Sequence, residues 1–197
     1  MNTDLTVQSY FATPMGFGYN VELAQKYLPI IEKLLADPKS SNPEYFPGGV
    51  TTHCTNVMLA ELPEFKEMRD WIYETGCEFM GQCGFRRDYL KNEVFIIANS
   101  LGLGGHHKSH THYDCTLSGV LYLTAPEGVS AVEFEDPVGE RLLHKYPIVD
   151  HNNPLTWEFI YTRPEVGLFN IFPPWFRHTV LPNKSTEPRI AVAFNIG

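Results

Sequence analysis

Hydrophobic and polar positions divide the chain into two unlike parts. In Val21–Leu35 the apolar residues fall at 21, 23, 24, 27, 28, 30, 31, 34 and 35, close to the 3.6-residue period of an amphipathic helix. Asn20 is placed to cap its start and Asp37-Pro38 to end it, while Pro29 predicts a kink or a shortened helix. A second helix is expected over Pro63–Phe79, with Phe65, Met68, Trp71, Ile72 and Phe79 on its buried side. Before the first helix, residues 1–20 read as an irregular arm that packs by Phe11, Phe17 and Tyr19; Lys39–Gly49 reads as a loop. After about residue 82 the apolar stretches become short and β-rich: Val94–Ala98, Leu117–Leu123, Ala131–Phe134, Glu158–Tyr161, Gly167–Phe172 and Ile190–Ile196. Turn signals such as Pro126-Glu127-Gly128, Asp136-Pro137 and Pro182-Asn183 separate them. Strands at this spacing predict a sandwich or jelly roll, and a helical layer with few linker signals is expected to pack on its sheet. The fold class expected is therefore mainly β with N-terminal helices. One domain should span 1–197, with 1–82 the helical layer and 83–197 the jelly-roll core.

Composition narrows the function classes. At 197 residues, with 43% hydrophobic and 13% aromatic content, the chain is globular and too apolar to be disordered. A net charge of −8 without clustered Lys or Arg argues against nucleic-acid binding, which rests on neutralising phosphates. No run of about eighteen apolar residues occurs, so no membrane partner is expected. MNTDLTVQSY lacks the basic and apolar regions of a signal peptide, which points to a cytoplasmic protein. Cys54, Cys77, Cys83 and Cys115 match no CxxC zinc spacing and are expected as small buried hydrophobes.

Candidate chemistry concentrates in Gly104–Leu123, GGHHKSHTHYDCTLSGVLYL. Four of the eight histidines, His106, His107, His110 and His112, lie within seven residues here, and Asp114 follows at i+2 from His112. Side chains at i and i+2 of a strand share a face, so His112 and Asp114 could ligate one metal. Two His and one carboxylate with open positions make the facial triad of non-haem Fe(II) oxygenases. The second histidine should come from a distant strand. His178 is best placed, just before the last apolar strand, whereas His144 and His151 lie in a polar connection and His53 in the helical half. His110 could be the ligand in place of His112, a neighbour of the ligands, or part of the substrate pocket's lining; His106 and His107 read as loop residues. Arg189 heads the strand Ile190–Ile196, and a cation entering an apolar strand needs an anion, whose carboxylate its fork would grip in a bidentate manner. A rim pairing with Glu187 is the blander reading of Arg189. The insert Val138–Leu155 reads as a solvated loop, or as a lid in which Arg141, Lys145 and His151 meet an anionic substrate.

The ordered set HTHYDCTLSGVLYL, FEDP, GLFNIFPPWFRHTVLPN and PRIAVAFNIG resembles the 2-oxoglutarate/Fe(II)-dependent oxygenase superfamily. It is most similar to a group of bacterial and phage oxygenases related to prolyl 4-hydroxylases. The resemblance covers about residues 94–197. It implies a double-stranded β-helix core, His112, Asp114 and His178 as iron ligands, and Arg189 as the 2-oxoglutarate anchor with Tyr122 supporting it. Trp175 is expected to pack over the site. It also implies Fe(II), 2-oxoglutarate and O2 as cofactor and co-substrates. The activity implied is hydroxylation of a C–H bond in an amino acid, peptide or small molecule, with release of succinate and CO2. A carboxylate at position 114 argues against a halogenase, which leaves that position open for halide. Where relatives carry Arg-x-Ser, this chain has Arg189-Ile190-Ala191, so one assisting hydroxyl is missing. The alternative is a cupin-like metalloenzyme, or a metal-binding module, that uses no 2-oxoglutarate. A homodimer is among the assemblies the sequence allows.

Overall fold

The computed structural model describes residues 6, 8, 11–138 and 147–197. Its framework is a pair of antiparallel sheets. The larger has six strands in the order β1 (Gly16–Tyr19), β8 (Leu168–Phe172), β5 (Leu117–Tyr122), β10 (Arg189–Ile196), β3 (Val94–Leu101) and β2 (Gly49–Thr51). The smaller has four, β4 (His107–His110), β9 (His178–Val180), β6 (Val132–Glu135) and β7 (Phe159–Thr162). This is the jelly-roll core expected, with α1 (Val21–Leu35) and α2 (Lys66–Gln82) supporting the large sheet.

Alternation along β10 shows how the sheet divides its labour. Ile190, Val192, Phe194 and Ile196 turn outward into a core shared with Leu23, Tyr27 and Ile31 of α1 and Met68, Ile72 and Phe79 of α2. Arg189, Ala191, Ala193 and Asn195 turn inward and line the space between the sheets. A second, smaller core of Tyr122, Val132, Phe134, Leu168, Phe172, Phe176 and Ala191 closes that space.

The first helix takes the predicted bounds, and the Asn20 side chain accepts from the Leu23 N–H at 3.0 Å. Pro29 neither shortens nor ends it. Pro29 and Gln25, whose carbonyl loses its i+4 donor, are both exposed, so water can satisfy the freed group. The second helix starts later than predicted, at Lys66, because Pro63–Phe65 forms a tight 3-10 turn. Gly76 lets α2 approach the sheet: a Cβ there would lie 2.5 Å from Ile196 Cδ1.

Four strands were not legible in the hydrophobic pattern. β1 and β2 come from the N-terminal part and become the two edges of the large sheet. The arm's aromatics do not pack it down, since Phe11, Phe17 and Tyr19 are all exposed; main-chain pairing of β1 with β8 holds it instead. β4 and β9 are polar or very short, and they carry the histidines described below. The cysteines also depart from expectation: all four are free, as expected, but only half-buried.

Candidate active site

Three imidazoles converge where β4 meets β9. His110 ends β4 directly opposite His178 at the start of β9. His112 follows two residues later, its backbone N–H donating to the Pro174 carbonyl at 2.9 Å. One ring nitrogen from each lies within 4.8 Å of the others, a set that could hold a metal ion. His112 Nε2 and His178 Nε2 are 3.4 Å apart. Two nitrogens each about 2.1 Å from one ion, at or somewhat above a right angle, fall near that separation. Nδ1 of His178 donates to the Phe176 carbonyl at 2.8 Å, and Nδ1 of His110 to the Lys108 carbonyl at 2.7 Å. Because a carbonyl can only accept, each bond leaves the Nε2 lone pair free, the tautomer a metal needs.

The surroundings keep these rings neutral. His178 is buried against the rings of Phe134 and Phe172. Burial, and then the neighbouring His110, push it down to about 3 from the usual 6.5. His112 falls to about 4 for the same two causes, and burial also lowers His110.

The structure brings His112 and His178 together and places Asp114 elsewhere. At Asp114 the backbone enters the left-handed region (φ 59°), which Asp tolerates better than most residues. The i, i+2 rule holds only while the chain is extended, so the turn after His112 sends the carboxylate to an exposed position lining a neighbouring cavity. The pair that shares a side is His110 and His112, the same spacing two residues earlier. His107 is no loop residue: it lies in β4, its ring centroid 4.3 Å from His110, and burial pushes it down to about 4. His53, set aside because it precedes the strands, lines the same cavity and stacks on Tyr45. His106 remains in a loop, its Nδ1 on the Gly104 carbonyl at 3.2 Å. His151 is exposed, while Arg141, His144 and Lys145 lie outside the described residues.

The cavity holding the three imidazoles measures about 470 Å³ and reaches Arg189. Arg189 is 3% exposed, makes no ion pair with Glu187 or any other described acid, and leaves Nε without a partner. Its guanidinium carbon lies 5.0 Å from the centre of the Tyr122 ring. Tyr122 thus lies against Arg189 with its face, and its hydroxyl donates to Asn170 Oδ1 at 3.4 Å. Ser130 Oγ, Thr162 Oγ1 and Asn170 Nδ2 are also buried without partners. An unpartnered buried donor is costly, and Arg189, which lines this cavity with its Nε unpartnered, is placed to receive a polar guest. Trp175 does not cover this cavity; it is half-exposed, and Phe176 is the ring that turns inward.

By sequence, residues 97–195 match the family described as "Putative 2OG-Fe(II) oxygenase", half of the chain, and the protein belongs to that family. It is a 2-oxoglutarate/Fe(II) oxygenase whose cofactor and co-substrate are iron and 2-oxoglutarate. Solved structures similar to it carry the double-stranded β-helix fold. A Pseudomonas putida prolyl-4-hydroxylase aligns with TM-score 0.64 at 10% identity, over 93% of this chain and 92% of that one. A prolyl hydroxylase from Trichoplax adhaerens, solved with a hypoxia inducible factor peptide fragment, gives 0.61 at 10% identity over 92% and 82%. The epimerase SnoN, in complex with Fe3+, alpha ketoglutarate and nogalamycin RO, gives 0.63 at 12% identity over 93% and 79%. No curated protein matches the chain by sequence.

Proposed function

We propose that His110, His112 and His178 hold the Fe(II), that Arg189 anchors the distal carboxylate of 2-oxoglutarate, and that the outcome is hydroxylation of a substrate C–H bond. The observation that carries this reading is one cavity containing three neutral imidazoles and a buried guanidinium with an unpartnered donor. Iron and 2-oxoglutarate together supply O2 activation coupled to decarboxylation, with succinate and CO2 as products. The chain's own groups position and enclose. The Phe176 and Lys108 carbonyls fix the tautomers of two ligands. Tyr122 supports the guanidinium rather than touching the carboxylate directly, and Asn170 holds the Tyr122 hydroxyl. Phe134 and Phe172 exclude water beside His178. A third protein ligand in place of a carboxylate leaves no vacancy for halide, so hydroxylation stays the favoured outcome. Similar structures include prolyl hydroxylases, one in complex with a peptide fragment, and an epimerase in complex with nogalamycin RO. The fold is therefore compatible with an amino acid, a peptide or a small molecule.

Anaerobic titration of the Fe(II) protein with 2-oxoglutarate tests the reading directly. A weak metal-to-ligand charge-transfer band should grow with co-substrate, and succinate should form on admitting air. Absence of both would sink it. A cupin-like metalloprotein without 2-oxoglutarate draws support from the fourth clustered histidine, His107. Arg189→Ala separates the two, because only the oxygenase should lose co-substrate binding.

A further inference from the structure

The cavity with the imidazoles continues beyond its mouth. His53, Ile97, Tyr113 and Asn195 line both it and a second cavity of about 410 Å³. The second compartment is walled by Val57, Met58, Leu59 and Phe95. Three of these, Val57, Met58 and Phe95, are 41%, 44% and 44% exposed, a concentration of apolar surface on one wall rather than a scatter. Among the described residues its lining holds a single charge, Asp114, whose carboxylate makes no hydrogen bond or ion pair there. The first cavity likewise holds a single charge, Arg189 at its deep end. The two compartments together form a path with a cation at the inner end and an anion at the outer.

We propose that the second cavity seats the remote part of the primary substrate, and that this substrate is a small organic cation. An ammonium or guanidinium would pair with Asp114, and an apolar stem would lie on Phe95 and Met58. The carbon to be oxidised would reach past Tyr113 and His53 to the imidazoles. This rests on the oxygenase reading, in which 2-oxoglutarate occupies Arg189 and leaves Asp114 as the charge open to substrate. A volume of this size suits a small molecule. The chain's net charge of −8 also favours the approach of a cation.

Isothermal titration of the protein loaded with Fe(II) and 2-oxoglutarate, kept anaerobic, tests it with three probes. These are phenylbutylamine, phenylbutanol and phenylbutyrate, each with its polar group at the chain end. The amine should bind about fivefold tighter than the alcohol, the scale of a partly exposed ion pair, and the carboxylate weakest. Asp114→Asn, which suits the left-handed backbone equally well, should erase the amine's advantage; Phe95→Ala should weaken amine and alcohol alike. Equal binding of amine and alcohol, or a preference that survives Asp114→Asn, overturns the proposal while leaving the oxygenase reading intact. Tighter binding of an acetylated and amidated Phe-Lys-Phe peptide overturns the assignment to a small molecule. Loss of iron from Asp114→Asn would put the carboxylate among the metal ligands, and so would overturn the three-histidine centre as well.

Discussion

His110 and His178 both present Nε2 because a backbone carbonyl two residues away holds the proton on Nδ1. In the proposed centre, that shared device gives His110 the same weight as His178. His110→Ala is expected to weaken iron binding by more than about 100-fold, the upper end of what loss of a supporting residue alone costs. His106→Ala should keep full iron stoichiometry, because its ring is turned to the Gly104 carbonyl. Metal analysis after gel filtration reads both. Proton linkage gives a second check at this scale. His107, His112 and His178 sit at about 4, 4 and 3 in the fold, against the usual 6.5 that applies when the chain unfolds. Between 6.5 and those values the unfolded chain binds more protons than the folded one, so stability rises with pH across that window. The iron-free protein should therefore lose thermal stability as pH falls below about 6.5, and the loss should level off near 3 to 4. Unfolding temperatures measured between pH 8 and 4 would expose the opposite trend.

Among the elements, the first helix shows what local chemistry can specify. Its cap, its period and its end lie within the segment itself, and Asn20→Ala is expected to cost about 1 kcal/mol, read by chemical denaturation. Apolar strands such as β5 and β10 were legible for the same reason. β4 was not: HKSH shows no hydrophobic alternation, and only its pairing to β9 makes it a strand. That is why the convergence of His110 with His112 and His178 escaped the sequence. His110 and Asp114 both lie two residues from His112, and the left-handed turn at Asp114 leaves no mark in the pattern. Arg189 stood out because it heads a strongly apolar strand, and His178 because it follows the dense aromatic and proline run Phe172–Phe176 ahead of that strand. His53 was missed because β2, which brings its loop to the cavity, has three residues and little pattern. A further support is the contact of the 42–49 loop with the 102–106 loop. Gly102 N–H donates to the Gly48 carbonyl at 2.9 Å, and Gly48, at φ 70°, leaves its missing Cβ only 2.6 Å from Gly105 Cα. Gly48→Ala should loosen this clasp and raise hydrogen exchange in both loops.

For the molecule as a whole, the N-terminal helices pack on the large sheet, whose edges β1 and β2 come from the same N-terminal part. We therefore expect one cooperative unfolding transition, with tryptophan fluorescence and far-ultraviolet circular dichroism superimposing. Separate transitions would divide the helical layer from the jelly roll. The central strand β10 is the wall between two interiors, one oily and one functional. Phe194→Ala, on the oily side, should cost about 3–5 kcal/mol of stability. A complete substitution scan along Arg189–Ile196 would then alternate at every residue between two kinds of failure. Polar replacements at even positions should deplete folded protein from the cell, while bulky replacements at the half-buried odd positions Ala193 and Asn195 should leave abundance intact and remove turnover. Selection acting on this strand thus has two separable targets, interleaved at the smallest interval a polypeptide allows.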